Sequence, residues 1–364
     1  MNKKLLAAAL GLAFAAPVFA DSSNVVLYGR VHEALVHSKS DATGAAGSGT
    51  TMNDVSSRIG VKGSEDLGGG LSAIFAYEFS VAADANSGVG GRHSYVGFKS
   101  NDLGTLVFGK QDGGNDSQAP LYNQASEVAY GVSNNGGFLT TIGGGSGVIG
   151  SGITASSVSV INRTQRVNNA IGYANKFGEV EVNVRHAMTG NNDQINAVAG
   201  ASTGTNENGA RQTEVAATWH HGAITLGGGY QDFTYADNVT RTGSDNLDNL
   251  YQLVGAYDFG VAKVGLVYGS AKLRNAVAGD DRIADYRLST WVPINGNTGL
   301  TASYGRADQL ADPSLKDKVL QVAAYYDFSK RTRTYLGVNQ AKADQTTGSD
   351  VKTTSVVLGL RHNF

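Results

Sequence analysis

The stretch Ser355-Val356-Val357-Leu358-Gly359-Leu360-Arg361-His362-Asn363-Phe364 ends the chain and alternates between two kinds of side chain. Successive side chains of a β-strand point to opposite faces. One face would therefore carry Val356, Leu358, Leu360, His362 and Phe364, which suits lipid. The other would carry small and polar residues, including Arg361, which suits water. This division is typical of a strand that crosses a membrane in a closed barrel.

The same alternation recurs along the chain and is interrupted by seven short turns. Each turn joins two alternating runs, so the turns predict seven hairpins and fourteen strands. One further run, 24–37, precedes the first hairpin, and another, 352–364, follows the last. Sixteen strands with short turns at one end and long loops at the other predict an all-β, 16-stranded antiparallel transmembrane β-barrel. The turns lie at residues 64–70, 100–104, 174–178, 220–223, 257–260, 292–297 and 327–331.

The first 20 residues have the composition of a secretory signal peptide. Lys3 and Lys4 give a basic start, residues 5–16 are apolar, and residues 18–20 precede a cleavage point before Asp21. We therefore expect a signal peptide over 1–20 and one barrel domain over 21–364. Without the signal the chain has 344 residues, and the loss of two lysines takes the net charge from −2 to −4. This charge is too small to indicate a nucleic-acid partner.

The composition favours long strands and excludes several other classes. The chain has no cysteine, which excludes disulfides and thiol chemistry. Only 4 of its 364 residues are proline, so few strand positions lack a donor for the sheet. After residue 20 no apolar run reaches the roughly 18 residues that a membrane-spanning helix needs. A mean hydropathy of −0.18 does not exclude the membrane, because only alternate residues of a barrel strand face lipid.

Aromatic residues cluster beside the short turns and predict a girdle at one membrane interface. Rings that carry a polar atom prefer the level of the lipid headgroups. The predicted girdle consists of Tyr173, Phe177, Trp219, Tyr257, Phe259, Trp291, Tyr325, Tyr326 and Phe328.

One loop, from about residue 111 to about 162, is far longer than the others. Structureless loops of this length are usually functional. Its segment 119–123 is apolar enough to pack against a wall, and the loop carries Asp112, Asp116 and Glu127. If it folded into the lumen, it would narrow the channel and place these acids opposite the barrel wall.

No residues form a pattern for catalysis, a cofactor or a metal. The histidine spacings match neither a zinc site nor a catalytic triad. The glycine-rich stretch 143–147 lacks the Lys-Ser/Thr that follows a phosphate-binding loop. We therefore expect no enzymatic activity and no cofactor. The alternative, an enzyme built on an outer-membrane barrel, would need a Ser/His or Asp/His group at the loop end or on the outer wall.

Five segments in order resemble the Gram-negative general porin family, especially its β-proteobacterial branch. The match covers most of the chain, although each segment alone is a short strand pattern. The segments are 26–30 (VLYGR), 57–68 (SRIGVKGSEDLG), 92–99 (RHSYVGFK), 166–173 (RVNNAIGY) and 359–364 (GLRHNF).

This resemblance implies a homotrimer in the outer membrane, with the third loop folded inward to constrict each barrel. It implies passive diffusion of small hydrophilic solutes and inorganic ions between basic wall residues and acids of that loop. Matching segments assign Arg30, Arg58, Arg92 and Arg166 to the wall, and Lys62 is in phase with Arg58. Asp116 and Glu127 are the candidate loop acids. Arg163, Arg361 and Glu78 are further candidates for the lumen.

The alternation places Arg30 and Arg361 on polar faces independently of the resemblance. The face of Arg92 depends on whether a β-bulge shifts the alternation nearby. The basic residues outnumber the acids near the expected constriction, which predicts a modest anion preference. Alternatively, several of the arginines pair locally and only keep the wall hydrated.

Two further expectations concern partners and substrate range. An apolar alternation that ends in Phe364 resembles the signal read by the β-barrel assembly machinery, and outer-membrane lipid and lipopolysaccharide are expected neighbours. A row of lumen tyrosines among Tyr28, Tyr95, Tyr122 and Tyr130 would instead favour a substrate-specific channel.

Overall fold

A computed structural model describes residues 24–41, 47–83, 89–112, 166–188, 211–234, 247–273, 282–309, 316–343 and 350–364. The described residues form antiparallel strands joined by turns, and none of them forms a helix long and apolar enough to cross a membrane. The strands are β1 (Asn24–Ser40), β2 (in two segments, Ser48–Asp54 and Arg58–Gly68), β3 (Leu71–Ser80), β4 (Gly90–Ser100), β5 (Gly104–Asp112), β6 (Arg166–Phe177), β7 (Val180–Ala187), β8 (Arg211–His221), β9 (Ile224–Thr234), β10 (Leu247–Asp258), β11 (Lys263–Leu273), β12 (Arg282–Pro293), β13 (Thr298–Gln309), β14 (Lys316–Asp327), β15 (Thr332–Ala343) and β16 (Val351–Asn363).

The sheet closes on itself because the first strand pairs with the last. β1 and β16 run antiparallel with a register that extends from Arg30 opposite Asn363 to Ser40 opposite Thr353. Every other strand pairs with its neighbours in sequence. The predicted 16-stranded antiparallel barrel is confirmed, as are all seven short turns.

β2 is one strand with an interruption, since both of its segments pair with β1. Residues 55–57 separate the segments, and Ser56 has a φ of 62°. The Val55 N–H still donates to the His32 carbonyl at 2.7 Å. The Ser57 hydroxyl also accepts from the His32 N–H at 2.9 Å, so the break leaves these groups of β1 hydrogen-bonded.

The two faces of the barrel wall follow the predicted alternation. In β14, Leu320 and Val322 are exposed on the outer face, whereas Gln321 and Ala323 are buried on the inner face. A buried group lies along the inner wall from β12 through β16 to β1 and β2. It consists of Ala34, Val36, Val55, Ala323, Tyr325, Tyr335 and Val357, with Trp291 packed against it.

The predicted girdle at the turn end is correct only in part. Trp291 and Tyr325 point inward, and the Trp291 indole N–H donates to the Tyr325 hydroxyl. The reason is parity, because Tyr325 shares the odd-numbered inner face of Gln321 and Ala323. Tyr326 lies one residue on, faces outward, and contacts Phe328 with ring centroids 5.0 Å apart. Other exposed members at this end are Phe177, Tyr257 and Phe259.

A second belt of aromatic residues, which the sequence analysis did not predict, lies nearer the loop end. Five outward tyrosines occupy five consecutive strands, and neighbouring rings touch, with centroids 5.8 Å apart for Tyr251–Tyr268 and 5.1 Å for Tyr268–Tyr286. The two belts border an apolar outer band, which is the arrangement of a barrel in a bilayer. The second belt consists of Tyr230, Tyr251, Tyr268, Tyr286 and Tyr304.

Gly359 provides a test of packing where β15 meets β16. A Cβ at Gly359 would lie 2.1 Å from Cζ of Tyr335, whose hydroxyl lies 3.0 Å from Nε2 of the buried His32. We expect Gly359→Ala to lower the free energy of unfolding by about 1–3 kcal/mol, because the ring must leave its place. Gly91→Ala is the control, since a Cβ there meets nothing within 4 Å. Thermal unfolding in detergent micelles measures the difference, and equal losses in both variants would contradict the packing described.

A cluster at the turn end predicts a pH dependence of stability. Glu179, between β6 and β7, accepts hydrogen bonds from Nδ1 of His221 at 2.9 Å and Nε1 of Trp219 at 3.1 Å. The His221 hydrogen bond, helped by that of Trp219, lowers the pKa of Glu179. A lowered pKa in the folded state stabilises the fold above the pKa of the unfolded state, about 4.3. This contribution disappears as the pH falls through the folded-state pKa.

We therefore expect stability to decrease less steeply below about pH 4.3 in Glu179→Gln than in the unaltered chain. Trp219→Phe should give an intermediate slope because it removes only the smaller contribution. Thermal unfolding measured across this acid range tests both variants. An unchanged slope in Glu179→Gln would show that the cluster contributes nothing.

Candidate functional site: a basic lumen wall

Four arginines lie on the inner face of four consecutive strands where the barrel closes. Arg30 is directly opposite Arg58 of β2, and Arg361 of β16 is directly opposite Arg333 of β15. The Nε of Arg30 donates to Oδ1 of Asn363 at 3.0 Å, which joins β1 to β16. Like charges directly opposite each other destabilise a sheet unless water or counter-ions screen them. A row of this kind therefore suits a hydrated lumen.

Lys62 extends the basic surface toward the turn end. Its position opposite Val26 puts it on the inner face beyond Arg58, as the sequence phase predicts. The Lys62 Nζ lies 5.2 Å from the centroid of the Tyr28 ring, a cation–π contact. Tyr28 itself lies over Gly60, where a Cβ would be 2.6 Å from the ring.

Arg92 reaches the lumen because β4 is irregular at this point. Ser94 pairs with Tyr77 but Gly91 pairs with Phe79, so an extra residue of β4 stands opposite Glu78. The extra residue is a β-bulge, and it decides which face of the strand carries Arg92, as the sequence alone could not. The Arg92 Nε donates to Oε1 of Glu78, and the Arg58 Nε lies 3.8 Å from Oε2. Glu78 is buried between the two arginines, so the local pairing considered above occurs at these residues.

The remaining sequence-predicted site residues are only partly described. The backbone of Arg166 pairs with Asp112 at the ends of β6 and β5, and Asp112 Oδ2 lies 2.7 Å from Nε2 of His93. Asp116, Glu127 and Arg163 lie outside the described residues, as do Tyr122, Tyr130 and almost all of the long loop at 111–162. Residues 1–20, for which the sequence predicts a signal peptide, also lie outside them.

Three inner arginines were not predicted from the sequence, namely Arg333, Arg185 and the fully buried Arg287 of β12. Arg333 donates to both carboxylate oxygens of Asp327, at 2.6 and 2.8 Å, and lies 4.0 Å from the centroid of the Tyr325 ring. Its odd-numbered position, in phase with Tyr335, was a usable signal. Arg185, in β7, pairs with the buried Glu214 of β8, and its Nη1 donates to the Gln111 carbonyl at 3.1 Å.

The end of the chain is part of the closure. Gly29 and Phe364 exchange backbone hydrogen bonds of 3.0 and 3.1 Å. A Cβ at Gly29 would lie 2.3 Å from Cζ of Phe364, so the ring packs directly on this glycine. Phe364 thus continues the β1–β16 pairing at the turn end. Within the described residues, no group of three His, Cys, Asp or Glu side chains could hold a metal ion.

A closed 16-stranded barrel with two aromatic belts and a charged lumen matches a known family. The family model described as Gram-negative porin matches residues 6–347. The chain belongs to the Gram-negative porin family. It is therefore an outer-membrane porin, a multi-pass β-barrel that acts as a diffusion channel.

Three curated relatives of this porin align over the whole of both chains. The chain is 27% identical over 413 residues to an outer membrane porin protein of Bordetella pertussis. It is also 27% identical over 383 residues to outer membrane porin protein 32 of Delftia acidovorans. The major outer membrane protein P.IB of Neisseria gonorrhoeae is 26% identical over 381 residues. These sources are β-proteobacterial, in agreement with the branch expected from the sequence.

Solved porin structures share the fold. The anion-selective porin from Comamonas acidovorans has a TM-score of 0.68 at 22% identity, covering 94% of this chain and 100% of that one. The trimer form of OmpT, an outer membrane protein of Vibrio cholerae, has a TM-score of 0.63 at 16% identity, with 94% and 100% covered. At these identities the likeness shows the fold.

Glu78 offers a direct test of the charge balance in the lumen. We expect Glu78→Gln to raise the anion-to-cation permeability ratio roughly two- to fivefold, because it removes one negative charge a few ångströms from the water-filled path. The zero-current potential across a planar bilayer in a salt gradient measures this ratio. Asp102→Asn, in an exposed turn, makes the same charge change away from the wall and should leave the potential unaltered. A shift toward cations in Glu78→Gln would refute the arrangement.

Proposed function

We propose that this porin is a general diffusion channel for small hydrophilic solutes and inorganic ions, with a modest preference for anions. The observation that carries the proposal is the basic group on the inner wall. In this group, Glu78 and Asp327 are the carboxylates, and six side chains are basic: Arg30, Arg58, Lys62, Arg92, Arg333 and Arg361. An excess of cationic side chains raises the local concentration of anions and lowers the barrier to their passage.

The proposed mechanism needs an electric field and a suitable radius, but no bond chemistry. In this proposal, Arg30, Arg58, Lys62, Arg92 and Arg166 form one side of the constriction, and Asp116 and Glu127 of the inward-folded third loop form the other. Charges of opposite sign on facing walls produce a transverse field. Polar solutes can align their dipoles with this field, whereas apolar solutes must disrupt ordered water.

The assembly and its neighbours are also proposals. We propose a homotrimer, export through a signal peptide at 1–20, recognition of the Phe364 end by the β-barrel assembly machinery, and contact with lipopolysaccharide. The packing of Phe364 on Gly29 supports the recognition step, because this residue completes the last pairing of the barrel. The porin relatives are channels, so enzymatic activity is not part of the proposal.

One observation favours the alternative of a substrate-specific channel. Tyr28 and Tyr95 face the lumen, opposite Gly60 and the buried Ala76 respectively, and Lys62 lies over Tyr28. Neighbouring aromatic and cationic groups can bind an anionic or sugar-like solute. Conductance that saturates with one solute would favour this alternative, whereas conductance proportional to salt concentration favours general diffusion.

Planar-bilayer recording in a salt gradient tests the selectivity. We expect a zero-current potential of the anion-selective sign, and Arg30→Gln together with Arg361→Gln should lower the permeability ratio at least about twofold. Lysine at the same positions should retain most of the preference, because it keeps the charge. Arg331→Gln, in the exposed β14–β15 turn, is the matched control. Cation selectivity of the unaltered protein would overturn the proposal.

A further inference from the structure

A second row of basic residues lies on the outer surface, at the loop end of the strands that carry part of the lumen wall. Arg306 of β13 is directly opposite Lys318 of β14, which is opposite Lys342 of β15. Lys342 is in turn opposite Lys352 of β16. Their even-numbered positions share the outer face with the exposed Leu320, Val338 and Val356. We call these four basic residues the rim row.

The rim row consists of three successive pairs of like charge, each of which destabilises a sheet when nothing compensates it. Acidic neighbours compensate in part. Arg306 binds Asp308 at 2.6 Å, and Lys342 binds Asp350 at 2.6 Å. In the described part of the chain, neither Lys318 nor Lys352 has a carboxylate partner for its Nζ, although Asp41 accepts from the Lys352 backbone N–H. The rim row therefore keeps a net positive charge.

The height of the rim row matches the boundary between membrane and water. Arg306 is directly opposite Tyr286 and lies two residues beyond Tyr304, both members of the second aromatic belt. Such belts lie at the level of the lipid headgroups. Since short turns of these barrels face the periplasm, the loop end with its rim row faces the outer leaflet.

The surface below the rim row is apolar on β13 and β14, and on β15 and β16 it becomes apolar beyond Gln340 and Thr354, which lie directly below Lys342 and Lys352. Strands are about 4.8 Å apart, so the four residues span roughly 14 Å along the rim, enough for more than one phosphate group. This arrangement matches a molecule with several anionic groups above several acyl chains. The exposed apolar residues below the row are Leu300 and Tyr304 on β13, Leu320 and Val322 on β14, Leu336 and Val338 on β15, and Val356, Leu358 and Leu360 on β16.

We infer that the rim row Arg306, Lys318, Lys342 and Lys352 is a docking site for the phosphorylated headgroup of an outer-leaflet lipid, whose acyl chains lie on the apolar faces below. The inference deepens the lipopolysaccharide contact under the proposed function and rests on it, but it is independent of ion selectivity. Phosphate oxygens accept hydrogen bonds from lysine and arginine and screen the facing charges of the row. Asp308 and Asp350 hold two of the four basic groups at the rim.

Binding of bisphosphorylated lipid A to the full-length refolded porin tests the site. In native mass spectrometry, the triple variant Lys318→Gln, Lys342→Gln, Lys352→Gln should bind lipid A roughly 100-fold more weakly, since each basic group near an anionic lipid surface contributes about fivefold. The corresponding triple arginine variant should bind normally. The control is Lys176→Gln, Lys263→Gln, Lys330→Gln, which removes three lysines from the turn end and should also bind normally.

Three further measurements separate the occupants of the site. Dephosphorylated lipid A should bind the unaltered protein as weakly as the triple glutamine variant binds lipid A. Inorganic phosphate at millimolar concentration should not replace lipid A, and if it binds the row equally well, the site is only an anion site and the inference fails. A changed oligomeric state of the triple glutamine variant would assign the row to contact between copies and also overturn the inference.

The zero-current potential distinguishes this inference from the proposed selectivity. The rim row lies outside the barrel, so all three triple variants should keep the potential of the unaltered protein. If the porin is cation-selective but lipid A binding depends on the row, only the selectivity proposal fails. If lipid A binds the triple glutamine variant with unaltered affinity, only the lipid site fails. Heat-modifiability on gels verifies that each variant is folded.

Discussion

Closure of the sheet is the constraint on which the rest of this structure depends. In the hydrocarbon layer no water can satisfy a backbone N–H or C=O, so a sheet can cross it only without a free edge. Here the pairing of β1 with β16 removes the edge and brings the two ends of the described chain together. Once the sheet is closed, each strand has one face toward lipid and one toward the lumen. The two-residue period of the sequence therefore separates the residues that face lipid from those that face the water of the lumen.

The same closure assembles the basic wall from distant parts of the chain. Arg58 and Arg30 belong to the first two strands, whereas Arg361 and Arg333 belong to the last two. Facing arginines are tolerated because their charges lie in or near water, where two charges 4 Å apart interact by only about 1 kcal/mol. Glu78 and Asp327 each hold arginine side chains at the edge of the group. The group is thus ordered by a few ion pairs while its overall sign stays positive.

The sequence predicted the features that follow from the two-residue period within one strand. It did not predict the features that depend on how one strand pairs with another. The strand count, the turns and the inner faces of Arg30, Arg58 and Lys62 follow from alternation within one strand. The face of Arg92 depends on a bulge, which is seen only in the register of β4 against β3. Trp291 and Tyr325 were assigned to a girdle from their closeness to turns, although the parity of β14 already placed Tyr325 inside. The second tyrosine belt was missed for a related reason, because its members become neighbours only through the registers of β9 to β13. The long loop remains a sequence-based prediction because most of 111–162 lies outside the described residues.

The alternation of odd and even positions also explains how β15 and β16 each place one basic residue in the lumen and another on the outer surface. In β15, Arg333 near the turn faces inward and Lys342 near the loop faces outward, nine positions apart. In β16, Lys352 near the loop faces outward and Arg361 near the turn faces inward, again nine positions apart. An odd separation places two residues on opposite faces only if the strand between them is regular. Both strands pair without a register shift across this interval. A bulge there would turn one of the two basic side chains to the opposite face of the barrel wall. The regularity of β15 and β16, in contrast to the bulged β4, is therefore a condition for the lumen wall and the rim row to exist on the same strands.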